Sequence, residues 1–138
     1  MNTRVAIPVI WTLSGAVLIK LWSAWPRLPG RVATHFGASF QPNGWSSKGA
    51  LAAIILIAVL GQAVLATFVL LRVAGAAGPA GVMLLLVNMV LVSAMWQTIN
   101  YNAEGSRFEP VWMFGPIIVL LTAITLVLAR GLFHYYRR

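Results

Sequence analysis

Apolar residues in this chain fall in long unbroken blocks instead of alternating, and the blocks set the architecture. Four of them, Val5–Trp25, Gly49–Leu71, Gly81–Tyr101 and Val111–Phe133, each reach the roughly 20 residues that one helical crossing of a hydrocarbon layer requires. No ten-residue alternation recurs, so a transmembrane barrel is excluded as a reading. The pattern predicts an all-α integral membrane protein. It is a single membrane domain over residues 1–138, with helices at about 5–25, 49–71, 81–101 and 111–133 and one structured polar loop, 26–48, between helices 1 and 2.

Local signals refine the blocks. Pro8 is tolerable near a helix start, and Trp22 and Trp25 close the first helix as interfacial aromatics. Lys20, in the last turns, reads as a lysine whose stem follows lipid while its ammonium reaches water. Ser46 and Ser47 are candidate caps for the second helix. The stretch Val73–Ala80 predicts a tight hairpin, and so antiparallel second and third helices. The third helix is the most polar, with Asn88, Ser93, Gln97 and Thr98. Side-chain amides in hydrocarbon need partners, so Asn88, Ser93 and Gln97, with Gln62 of the second helix, are expected to serve interhelical packing. A polar track for an ion is the alternative, but no ionisable residue sits mid-membrane to carry it.

Composition adds location. Hydrophobic residues make up 60% of the chain and charged ones only 9%, too few to wet a globule's surface. The formal charge of +8 comes from basic residues that punctuate apolar blocks and form no run, so nucleic acid is set aside as a partner. Without cysteine there is no disulfide and no thiolate metal site. The block after Met1-Asn2-Thr3-Arg4 is long for a signal peptide and lacks a small-residue cleavage site, so it reads as an uncleaved first helix. Arg72, Arg130, Arg137 and Arg138 favour cytoplasmic termini. That turns the 26–48 loop and the Asn102–Pro110 turn outward together, and a salt bridge from Glu104 or Glu109 to Arg27, Arg31 or Lys48 is expected.

The 26–48 loop is the only long polar segment. Pro26, Pro29 and Gly30 force a turn, Val32–Phe36 has extended character, and Asn43-Gly44 is a turn signal of the type I′ kind. Phe36, Phe40 and Trp45 are expected to fold the loop onto the headgroup layer or the helix tops. Leu28-Pro29, Val32, Thr34-His35-Phe36, Pro42, Gly44-Trp45 and Ser47-Lys48 together resemble the DUF1648 domain. That domain is a membrane-helix, polar-loop, membrane-helix unit of small bacterial membrane proteins, also found at the N-terminal side of SdpI-type immunity proteins. The resemblance covers roughly residues 10–70. It departs at Gly37, Phe40 and Asn43, where the family tends to have Asn, Gly and Asp. It implies a bacterial cytoplasmic (inner) membrane protein, with a role in immunity only as a loose extension.

An enzyme would need convergent reactive groups. His35 with Glu104 and Glu109 is the one conceivable cluster, and it has no metal-motif or nucleophile–base spacing. The expectation is a non-catalytic protein without cofactor or metal. Its loop would meet a peptide, protein or lipid through Arg31, His35, Phe36, Phe40, Asn43, Trp45 and Lys48. The lipid bilayer is its other partner, and self-association into a homo-oligomer stays open. The competing reading is a small accessory subunit of a larger membrane complex.

Overall fold

In a computed structural model, residues 3–72, 77–107, 115, 117–119 and 122 are described. The first apolar block becomes α1, Thr3–Ala24, followed by a single 3-10 turn, Trp25–Arg27. Two antiparallel strands follow, β1 (Arg31–Phe36) and β2 (Pro42–Ser47), and then α2, Lys48–Arg72, and α3, Ala77–Glu104. Three helical segments, Arg4–Arg27, Lys48–Arg72 and Gly81–Glu104, are long and apolar enough to cross a membrane. The expected fourth helix, 111–133, lies outside the described residues apart from 115, 117–119 and 122, which are helical.

Each helix buries one stripe. In α1 the buried positions are Ala6, Ile10, Ser14, Val17, Leu21 and Ala24; in α2 they are Leu51, Ile55, Val59, Ala63, Ala66 and Leu70. Steps of three and four place such residues on one helix face. The opposite faces stay open, with Ile57 74% and Ile19 71% exposed, as befits helices whose outer surface meets hydrocarbon. The core divides in two along the bundle. At one end Ala6 and Ile10 pack with Ala63, Ala66 and Leu70. At the other, Val17, Leu21, Ala24, Leu51, Ile55, Val59 and Ile99 pack with Leu28 and Val32, which come from the loop. The 26–48 segment is thus built into the core and is not merely laid over it.

Element ends follow local chemistry. The Ser47 hydroxyl accepts the Ala50 N–H at 3.1 Å, capping α2, whereas Ser46 lies within β2 opposite Val32. The third helix runs past its expected limits at both ends. It starts at Ala77, inside the stretch read as a connection, and ends at Glu104, inside the stretch read as a turn. Gly105 stops it with a φ of +63° and donates its N–H to Tyr101 O at 3.1 Å, a left-handed cap that glycine enters without a Cβ clash.

Two expectations change. The chain is not wholly α-helical, because residues 31–36 and 42–47 form a β-hairpin. The hairpin also does not turn at Asn43-Gly44, which sit inside β2. The turn comes earlier: Phe40 N–H donates to Gly37 O and Gly37 N–H to Gln41 O, both at 2.9 Å. Phe40 takes the left-handed conformation, φ +57°, the position that such three-residue connections usually give to glycine.

Candidate functional site

The hairpin is held at its root, across its strands and along its flank. At the root, Lys48 N–H donates to Gly30 O at 3.3 Å, and the Lys48 ammonium lies 4.8 Å from the centre of the Trp25 ring. This cation–π contact ties the turn after α1 to the first residue of α2.

Across the strands the register is irregular. Ala33 faces Trp45 and His35 faces Gly44, leaving Thr34 as an extra residue on β1; Phe36 then faces Pro42, leaving Asn43 extra on β2. Two opposed bulges restore the register, and both re-aim side chains. The His35 Nδ1–H donates to the Asn43 side-chain oxygen, so the two join across the sheet. Gly44 is required beneath them, because a Cβ there would stand 2.8 Å from His35 Cβ. The glycine read as a turn former is therefore a close-approach glycine.

Along the flank, α3 supplies a backbone-like partner. Asn102 Oδ1 accepts the Ala33 N–H at 2.7 Å while its Nδ2 donates to Ala33 O at 2.9 Å and to Thr98 O at 2.8 Å. Ala33 is fully buried, so no water replaces this pair. Phe36 packs edge-on against Tyr101, one residue away on α3, with ring centres 5.1 Å apart at 83°. Asn102 was not among the site residues expected from sequence. Its only signal was an amide at the end of an apolar helix, which carries no information about a strand 69 positions earlier.

Charge is gathered at this end of the bundle. Lys20 Nζ lies 3.0 Å from Glu104 Oε1 and Arg27 Nη1 lies 3.7 Å from the same oxygen. Arg27 was one of the expected partners. Lys20 was not: it was read as reaching water alone, but α3 delivers a carboxylate to it and the Trp96 ring 5.4 Å away. His35 and Glu104, read as the one conceivable reactive cluster, bond to different partners, and Glu109 lies outside the described residues. Among the described residues no three His, Cys, Asp or Glu side chains gather to hold a metal.

Of the expected contact residues, Arg31, His35, Asn43 and Trp45 are exposed on the hairpin, whereas Phe36, Phe40 and Lys48 are half-buried. Arg31 and Trp45 line a shallow cavity of about 400 Å³.

Of the intramembrane polar residues, Asn88 and Gln62 meet. Asn88 Nδ2 donates to Gln62 Oε1 at 2.7 Å and to Ser14 Oγ at 3.2 Å, and Gln62 Nε2 donates to Leu84 O at 3.4 Å. The three helices are thereby joined at one depth. Gln97 is buried and Ser93 half-buried elsewhere on α3.

Residues 11–60, which run from α1 through the hairpin into α2, match the family model described as "Domain of unknown function (DUF1648)". No curated protein and no solved structure matches the chain.

Proposed function

Starting from a membrane protein that carries a DUF1648 unit across its first two helices and the hairpin between them, we propose that it is a non-catalytic binding protein. The moored hairpin is its recognition surface for a peptide, protein or lipid partner. The observation that carries this reading is the contrast between the two sides of the hairpin. Its inner side is fixed by Asn102, Phe36 and the Leu28–Val32 core, yet Trp45 remains 48% exposed beside Arg31 on the outer side. A rigid mount that presents an aromatic and an arginine lowers the entropy cost of binding and supplies the residue types that carry interface energy. The proposed setting is the bacterial inner membrane with cytoplasmic termini and the hairpin outside, in an immunity or envelope role.

A second reading has its own observation. Gly61 lies on the open face of α2 with nothing within 4 Å of a notional Cβ, flanked by exposed Ile57, Val64, Leu65 and Phe68. A small residue on a lipid-facing surface permits close helix approach, which suits an accessory subunit. Mild-detergent purification of the tagged chain followed by mass spectrometry separates the two. A monomer or homo-oligomer supports the binding protein, and stoichiometric foreign chains overturn it in favour of the subunit.

A further inference from the structure

The cavity between Arg31 and Trp45 has a definite height relative to the helices. Arg31 pairs with Ser47, the residue immediately before α2, and Trp45 lies three residues before Lys48. At about 3.3 Å per strand residue, both stand within roughly 10 Å of the helix end, at the hairpin root and away from the 37–41 tip. Polar headgroups occupy the first several ångströms beyond the hydrocarbon core, so the cavity opens at headgroup depth. Lys48 over Trp25 lies at the same level.

Among the described residues its surroundings are predominantly basic. This end carries Lys20, Arg27, Arg31, Lys48 and Arg107, and Glu104 is the one acid among the described residues. That carboxylate faces Lys20 and Arg27, and Arg31 has no carboxylate partner among the described residues. A guanidinium offers two parallel N–H donors matched to a phosphate, and an indole at this depth packs on the glycerol and upper acyl carbons.

We infer that the Arg31–Trp45 cavity holds the phosphate of an anionic glycerophospholipid from the surrounding leaflet. Arg31 binds the phosphate and Trp45 covers the glycerol region. The inference rests on the hairpin being a binding surface and names its occupant. A soluble acidic peptide is the weaker fit, because a ligand arriving from water meets the 37–41 tip before the root.

The test is native mass spectrometry of the full chain in mild detergent, titrated with phosphatidylglycerol. The fork of charge-assisted hydrogen bonds predicts a ten- to hundredfold weaker lipid affinity for Arg31→Gln. Arg31→Lys, which keeps the charge and loses the fork, falls in between; Trp45→Ala loses several-fold, and Arg107→Gln stays within twofold of the parent. Thermal midpoints identify any variant that has lost its fold, and Arg31→Lys keeps the test decisive in that event. An unchanged affinity in Arg31→Gln and Arg31→Lys, or an equal loss in Arg107→Gln, overturns the inference. If a synthetic acidic peptide binds in an Arg31-dependent way while lipid retention does not change, the lipid is wrong and the binding hairpin stands. If neither ligand binds and foreign chains co-purify in stoichiometric amounts, both readings fall.

Discussion

Replacing Asn102 with leucine asks whether a single side chain moors the hairpin. Leucine matches asparagine roughly in size but can neither accept the Ala33 N–H nor donate to the Ala33 carbonyl, contacts that now measure 2.7 and 2.9 Å. Because Ala33 is fully buried, both backbone groups lose their partner without gaining water. A buried donor or acceptor left unsatisfied costs about 1–3 kcal/mol. The third contact, to Thr98 O, adds little, since that carbonyl lies inside a helix. The hairpin can relieve part of the cost by lifting off and hydrating, so the expected loss of docking free energy is about 2–4 kcal/mol. At a factor of ten per 1.4 kcal/mol, the open hairpin becomes at least about thirtyfold more populated. Hydrogen exchange by mass spectrometry, in nanodiscs, reads this directly as faster exchange over residues 31–36 with α1 and α2 unaffected. Asn102→Asp keeps the acceptor for the Ala33 N–H and loses the donor, so it should fall between parent and leucine variant. Unaltered protection of 31–36 in Asn102→Leu would refute the mooring, as would a loss spread evenly over all helices.

Three further outcomes follow from the geometry. Gly44→Ala places a methyl group 2.8 Å from His35 Cβ and should cost about 1–3 kcal/mol, read as a lower thermal midpoint; His35→Gly in the same chain should restore most of it. Asn88→Leu removes the amide shared by Ser14 and Gln62, and at about 0.6–1.7 kcal/mol for a membrane-buried hydrogen bond it should produce a modest shift in denaturant midpoint, whereas a loss above about 4 kcal/mol would mean the cluster does more than pack. In a double-mutant cycle of Lys20→Met and Glu104→Gln, a pair whose side chains are 16% and 39% exposed, the coupling should be small and shrink with salt; salt-independent coupling would place the pair out of reach of water.

The helices were legible because runs of twenty apolar residues leave a backbone little choice, and α1 and α2 begin and end within a few residues of where the hydropathy pattern sets them. α3 overran that pattern because Gly78 and Pro79 at its start and Asn102 at its end are poor helix signals in isolation. The hairpin was half legible. Extended character at Val32–Phe36 was visible in its β-branched and aromatic residues, but Asn43-Gly44 mimicked a turn when glycine was needed for contact with His35. The true turn places Phe40 in a conformation costing an L-residue about 1 kcal/mol or more, a choice that local preference argues against. Asn102 and the Lys20–Glu104 pair were hidden for another reason: each depends on a partner 69 or 84 positions away.

That distance also imposes an order on biogenesis. The residues that match the family end at 60, yet the group that satisfies the Ala33 backbone sits at 102. During synthesis the strands and their two flanking helices emerge first, with Ala33 N–H and C=O bare until the third helix has been made and inserted. At ordinary translation rates of about 5–20 residues per second, the 30 residues from the end of α2 at Arg72 to Asn102 delay docking by a few seconds. Through that interval the nascent hairpin exposes unpaired backbone at the membrane surface. A chain released after residue 72 would keep the β1–β2 pairing but lack the Asn102 amide that satisfies Ala33, so the side chain that moors the hairpin lies outside the segment that matches the family.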